Sequence, residues 1–465
     1  MAILIILSIL AIGLILMATE SLNRMNKAAV AMFVGVICWL IYIGYGTDFV
    51  VAEHQIDFLS YLSDNSVGSR SVKSFIASSI FIRYVVAGAE VVLFLLGTMT
   101  IVEVLNNNGC FDFIPEWLRT RRPLHYLWMV SGITFVISAN MDNLTTACLM
   151  LGIMHSMISD SRQRLIFGSA IVISAACGGA FTVIGDVTSL ALWTGGRVTP
   201  TTYSGMTILP CLAALLTILG LMSRSLPHRL ALTRTVAPYR GDDTVLTRWQ
   251  RLALLAVGIG GLWFIPTFHR ITLLPPFVGC LCVLALLWIV NELCNRALLG
   301  SDRMVQKRLP EALQYVNIQH ILLFIGLTLA FGAVNETGIL TRFFDWCAVK
   351  LDSFFVIATS MGALSSVFGN VATVLANMSV CSPDVVEPHA ELVPIYAPNG
   401  YFWPLISYST AVGSLLLPAG TMAGFALMRM EGMKWRTYLS HISGKVLAGW
   451  VVGLLVYYIM VYFVY

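Results

Sequence analysis

The sequence predicts an all-α polytopic membrane protein made of two inverted halves. Three observations carry this. Of 465 residues, 58% are hydrophobic and 11% charged, against roughly 25% charged in soluble domains, and the mean hydropathy is +0.82. Apolar runs of about 17–25 residues, the length that crosses a bilayer as a helix, recur about ten times. The same succession of apolar run, polar tip and glycine break also occurs in each half of the chain.

The runs are 2–18, 28–46, 84–105, 164–194, 205–223, 249–266, 273–292, 318–335, 401–429 and 443–464. Residues 2–17 have no basic residue before them and no small-residue cleavage site after them, while Arg24 and Lys27 follow. They read as a retained first span with the N-terminus outside, not a removed signal. Two regions, 124–158 and 353–381, are too long for one span and barely long enough for two. Each has two apolar arms meeting at a polar or glycine-containing tip. Such short arms suggest re-entrant hairpins; a pair of full spans with a tight turn is the alternative.

Run 164–194 is the most unusual. A continuous helix of about 30 residues would be about 45 Å long, against a hydrocarbon core of ~30 Å. Gly178, Gly179 and Gly185 lie in its middle, each costing about 1 kcal/mol in a helix. An unwound centre follows, with free carbonyls and exposed half-helix ends. Gly413, Pro418 and Gly420 place a similar break in 401–429.

The halves are then 1–223 and 249–465, joined by a linker at 224–248. Leu93–Thr98 matches Leu323–Thr328, and Ser138–Asn143 matches Ser365–Asn370. Each half carries five spans and a hairpin. Five is odd, so the second half enters from the opposite side, the inverted repeat of secondary transporters with a midplane site. With the N-terminus outside, the cytoplasmic loops hold 21 of the 28 Lys and Arg, as the positive-inside rule requires. Both termini are then outside. The basic linker sets topology and meets anionic lipid; no nucleic-acid partner is implied.

Ionisable groups inside a membrane mark functional sites. The first tip offers Asn140, Asp142, Asn143, Thr145 and Thr146, and the first break offers Thr182, Asp186 and Thr188. The second half offers Ser365, Ser366, Asn370, Thr373, Ser407, Ser409 and Thr421. Oxygen donors of this kind suit a hard cation such as Na⁺ or Li⁺, as they suit Ca²⁺ and Mg²⁺. The candidate cation ligands are Asp142, Asn143, Thr145, Thr182, Asp186, Thr188, Asn370 and Thr373. Asp142, Asp186 and Glu90 are candidate proton carriers, because a carboxylate held away from water gains by taking up a proton or a cation.

Plainer readings stand beside these. Asp142 and Asp186 are placed to cap helices, and Thr145, Thr146, Thr182 and Thr188 to bond back to their own helix. Glu90 is placed to pair with Arg83; its counterpart in the second half is His320. The 10 cysteines are scattered and mostly lie in apolar runs. They form neither a zinc pattern nor a disulfide framework. No Ser/His/Asp arrangement is evident, so no enzyme activity and no cofactor is expected, Na⁺ being cargo.

Met141–Thr146 and Gly178–Thr188, with Leu192-Trp193 following, resemble the NhaD-type sodium/proton antiporters of the ion transporter superfamily. The similarity runs from about residue 80 to the C-terminus, and the closing segment from Gly424 to Gly453 is also similar. The resemblance implies two inverted repeats, two opposed re-entrant hairpins, two broken helices, Na⁺/H⁺ exchange by alternating access and a homodimer in a bacterial cytoplasmic membrane. One departure matters: the family pattern is expected to carry a carboxylate where this chain has Gly369. That bears on proton stoichiometry and on antiport itself. Na⁺-coupled uptake of a small anion is the alternative function.

Overall fold

A computed structural model describes residues 2–62, 68–232, 246–295, 317–340, 342–343, 353–381, 393–418 and 420–464. Residues 233–245 of the predicted linker lie outside these. Among the described residues the regular structure is helical, apart from one isolated antiparallel bridge, Ile158–Leu232.

The main helices in the first half are α1 (Ala2–Ala18), α2 (Lys27–Gly44), α3 (Ser69–Asn107), α4 (Pro123–Ser138), α5 (Asn143–Met157), α6 (Ser161–Ala180), α7 (Val187–Thr194) and α8 (Pro200–Ser223). The second half has α9 (Arg248–Thr272), α10 (Pro276–Cys294), α11 (Ile318–Asn335), α12 (Phe354–Phe368), α13 (Asn370–Val380), α14 (Phe402–Gly413), α15 (Met422–Glu431) and α16 (Gly444–Val464). Among the described residues, eight helical stretches are long and apolar enough to span a membrane: α2, α3, α6, α8, α9, α10, α11 and the one that includes α16. The protein is therefore a polytopic helical membrane protein.

The remaining predicted runs are shorter or interrupted. α1 is 17 residues long. Run 164–194 ends its first helix at Ala180 and resumes at Val187, and run 401–429 divides into α14, a 3₁₀ turn at Ser414–Leu416, and α15. In both tip regions the two arms are helical. α4 and α5 are separated by residues 139–142, and α12 and α13 by Gly369 alone.

Local chemistry sets the helix ends. Pro123, Pro200 and Pro276 each occupy a first helical position, where the missing N–H removes no helical bond. Asn26 and Asp160 cap with their side chains, and Thr247 forms a capping box with Gln250, filling donors the helix leaves open. α3 starts well before the predicted residue 84 and contains a π-helical segment at Ile76–Phe81.

Packing brings the halves together. α2 lies along α11, α3 along α10, and α8 along α16. The α2–α11 crossing is close because Gly35 and Gly326 face backbone: a Cβ at Gly35 would come within 2.7 Å of the Gly326 carbonyl. Small residues permit such approaches in membrane bundles. Within each half the first hairpin arm packs on the first part of the broken helix, α4 on α6 and α12 on α14.

Candidate functional site

The two breaks are fixed by glycine. A Cβ on Gly178 would strike the Phe135 backbone, and one on Gly185 would sit 2.6 Å from the Ser138 carbonyl. The backbone of α4 can therefore press against the unwound centre. Two hydroxyls fasten the join: Ser138 Oγ donates to the Ala175 carbonyl (2.6 Å), and Thr182 Oγ1 donates to the Ala139 carbonyl (2.6 Å). The Asn143 N–H donates to the Gly185 carbonyl (3.0 Å). Hairpin tip and helix break thus form one unit.

Asp186 sits where that unit meets the second half. It is 2% exposed and immediately precedes α7, without a side-chain capping bond. Its Oδ1 accepts from Asn143 Nδ2 at 3.0 Å. Its Oδ2 accepts from Asn370 Nδ2 at 3.1 Å and from the Thr188 hydroxyl. One carboxylate is therefore held by an amide from each hairpin tip and by a hydroxyl in the first turn of α7. Hydrogen bonds to a charged group contribute about 1.5–3 kcal/mol each, so the arrangement ties α5, α7 and α13 together at one point.

Asp142 is built differently. It caps α5: Oδ2 accepts from the Thr145 N–H (3.2 Å) and hydroxyl (3.3 Å). Its Oδ1 is buried without a hydrogen-bond partner and lies 3.9 Å from His320 Nε2; both ring nitrogens of His320 are likewise buried and unpartnered. Two buried carboxylates, one with both oxygens hydrogen-bonded and one with an oxygen left open, thus lie side by side.

A cavity of about 40 Å³ reaches Asp186. Asn143, His320, Gly369, Asn370, Gly420 and Thr421 line it, together with Met17 and Lys27 from the first half. One water needs roughly 10–15 Å³, whereas small-molecule pockets run to about 300–1,000 Å³. The space suits an ion with a water or two. Among the described residues, no three His, Cys, Asp or Glu side chains converge as a transition-metal site would require.

Asn143, Asp186, Thr188 and Asn370 are therefore brought into direct contact, with Asp142 and Thr145 beside them. Two threonines face elsewhere. Thr182 holds the tip, and Thr373 Oγ1 donates back to the carbonyls of Gly369 (2.7 Å) and Asn370 (3.0 Å). Glu90 is not on the wall of the Asp186 cavity. It lines a separate cavity of about 250 Å³ with Tyr84, Thr194, Arg197 and Asn335. Arg83 donates to the Ser79 carbonyl (2.9 Å), and no Arg83–Glu90 ion pair occurs among the described residues.

The site also contains residues that reading the sequence left out. Lys27 looks like a span-flanking charge, and His320 was singled out only as the position matching Glu90. Neither lies in a polar motif, so no local pattern marks them. Thr421 caps α15 through the Gly424 N–H (2.9 Å) in the place that Asp186 takes before α7.

A family model described as citrate transporter matches residues 3–398. The sodium/proton antiporter 1 of Arabidopsis thaliana is 31% identical over 374 residues, covering 79% of this chain and 61% of that protein. This chain thus spans about three-fifths of that relative's length. The sodium/proton antiporter 2 of the same plant is 30% identical over 370 residues, covering 79% of this chain and 84% of its own. The Na(+)/H(+) antiporter NhaD of Vibrio cholerae is 27% identical over 399 residues, covering 80% and 78%.

Proposed function

The chain belongs to the citrate transporter family, and from that premise we propose that it exchanges Na⁺ or Li⁺ for H⁺ across the bilayer by alternating access. The observation that carries this reading is Asp186: a buried carboxylate, gripped by amides from both hairpin tips, at the end of a cavity of about 40 Å³. An arriving cation replaces the amide protons as the partner of the carboxylate, and the amide oxygens of Asn143 and Asn370 turn to face it. A proton competes for the same oxygens. Asp142, with one free oxygen, is the second proton acceptor, and Thr145 and Thr188 complete the polar surround. Glu90, in its own cavity, is a carrier on the route between the site and the far side. Relatives named for sodium/proton antiport support the choice of ions.

In this reading the halves 1–223 and 249–465 are inverted repeats around the tips, and the protein works as a homodimer in a bacterial cytoplasmic membrane with both termini outside. The family description and Lys27 on the cavity wall favour a second reading, Na⁺-coupled uptake of a small anion. The cavity volume and the two carboxylates weigh against it.

The test is Na⁺-driven proton flux in proteoliposomes. Asp186→Ala is expected to lose about 100-fold or more in rate, the equivalent of one charged contact of ~3 kcal/mol, and Asp142→Ala to lose flux as well. Lowering the pH is expected to weaken apparent Na⁺ affinity in the wild type. Unchanged flux in both variants would sink the proposal. Na⁺-dependent uptake of an anion without proton exchange would establish the second reading.

A further inference from the structure

Lys27 lines the Asp186 cavity and is assigned no part in the exchange described above. It opens α2, and Asn26 before it caps the helix by accepting from the Ala28 N–H (2.9 Å). The ammonium is thereby brought inward, not left in solvent: the side chain is only 12% exposed. Glu20 Oε2 lies 3.7 Å from Nζ, and the ring of Phe425 on α15 lies beneath it with its centroid at 5.9 Å. A carboxylate and an aromatic face both hold a cation in place.

The arrangement has a direction. Lys27 is on the cavity wall and Glu20 is not. Among the described residues Lys27 is the one Lys or Arg of that wall. An ion in the cavity therefore has Lys27 on its wall, while the carboxylate paired with that ammonium lies off the wall. Met422, also on the wall, lies three residues from Phe425, so the part of α15 that carries the ring also lines the cavity.

We propose that Lys27, positioned by Glu20 and Phe425, is a specificity-determining residue for the transported cation: its fixed charge opposes cation entry and discriminates against divalent ions. The inference rests on the cation-exchange reading. A fixed potential acts on an ion in proportion to its charge. A field that weakens Na⁺ entry by some factor weakens Mg²⁺ entry by the square of that factor. This separates Na⁺ from divalent ions without a divalent-excluding ligand geometry. Lys27 is a positioning charge and is not a ligand.

The test compares the wild type with Lys27→Gln, Lys27→Arg and Glu20→Gln in inside-out membrane vesicles. It reads the apparent half-saturating Na⁺ concentration and the inhibition of exchange by Mg²⁺. In Lys27→Gln, half-saturating Na⁺ is expected to fall about threefold and Mg²⁺ inhibition to strengthen about ninefold, the square that valence requires. Glu20→Gln, which removes the carboxylate charge beside the ammonium, is expected to shift both in the opposite direction, and Lys27→Arg to stay near wild type. Both effects shrink as ionic strength rises. A wild type without Na⁺-driven flux overturns the exchange reading, and this inference with it. Intact wild-type exchange overturns this inference alone if Lys27→Gln and Glu20→Gln shift in the same direction, as a merely structural cluster would, or if Na⁺ and Mg²⁺ respond by equal factors, or if nothing moves.

Discussion

The two hairpin tips share a backbone plan and differ in charge. In the first, Ser138 Oγ donates to a carbonyl of the neighbouring helix, Ala175, and in the second Ser365 Oγ donates to Thr410. Gly185 lies against the Ser138 carbonyl, and Gly420 lies against that of Ser366. Asn143 and Asn370 extend amides to the same carboxylate. Yet where the first half has Asp142 and Asp186, the second has Gly369 and Thr421. The features that bring a tip to a break are present twice, and the charge only once. Scaffold and charge are thus separable. Two amides converging on Asp186 need two tips, whereas a second pair of buried carboxylates would add repulsion and desolvation cost with no cation to offset it.

Between the two tips, the amide grip offers the largest effect. Asn143→Ala and Asn370→Ala are each expected to reduce Na⁺-driven flux about tenfold, the loss of one contact of roughly 1.5 kcal/mol. Equal losses would show that the halves contribute alike to a site whose charge lies on one side. A large loss from one variant alone, measured in the same proteoliposome assay, would break the equivalence.

Gly369 sharpens the comparison further. Its backbone lies at φ 90°, ψ 156°, a region essentially reserved for glycine and costing other residues about 1–3 kcal/mol. Asp142 at the matching place has φ −49°, ψ 135°, open to any side chain. Space is not the obstacle, since a Cβ on Gly369 meets its nearest neighbour, the Gly420 carbonyl, at 3.4 Å. Gly369→Ala and Gly369→Asp are therefore expected to lose about the same stability in thermal unfolding, because the cost lies in the backbone. A much greater loss in the aspartate variant would show that this tip rejects a second charge as such.

The smallest effect is a control away from both tips. His54 Nε2 lies 2.5 Å from Glu336 Oε2, and Tyr84 donates to the other Glu336 oxygen (2.7 Å). That hydrogen bond holds the His54 imidazole above its ordinary range, helped by Asp57 and opposed by burial and Arg83. A group raised on folding stabilises fully below its unfolded value of about 6.5 and ceases to as pH climbs through the raised value. The wild type should therefore unfold at a higher temperature than His54→Gln near pH 6, with the gap closing as pH rises above that window. The contrast between Asn143 and Asn370 variants should not change on this background.

Much of the site was legible because it is local. Asp142, Asn143 and Thr145 stand within four residues at one tip, and Gly185, Asp186 and Thr188 within four at one break. A polar cluster inside an apolar run is visible without a partner. The plainer alternatives also had local signatures and hold in part: Asp142 does cap α5, whereas Thr182 does not bond back to its own helix. The role of each threonine was not legible, because the direction of a hydroxyl depends on which carbonyl packing brings near. Thr182 meets Ala139, 43 residues away.

By itself the sequence determined that the chain is a helical membrane protein, where its apolar runs break, and which residues carry charge into them. These follow from hydropathy, run length and glycine content, which a short window contains. Only the tertiary structure decided that Asn370 reaches Asp186 across 184 residues of chain, that His320 lies beside Asp142, that Lys27 lines the Asp186 cavity, and that Glu90 lines another one. These depend on how α2 crosses α11 and how the two tips meet. Such crossings are set by side chains interlocking between distant helices, a property of pairs of segments that no single segment encodes.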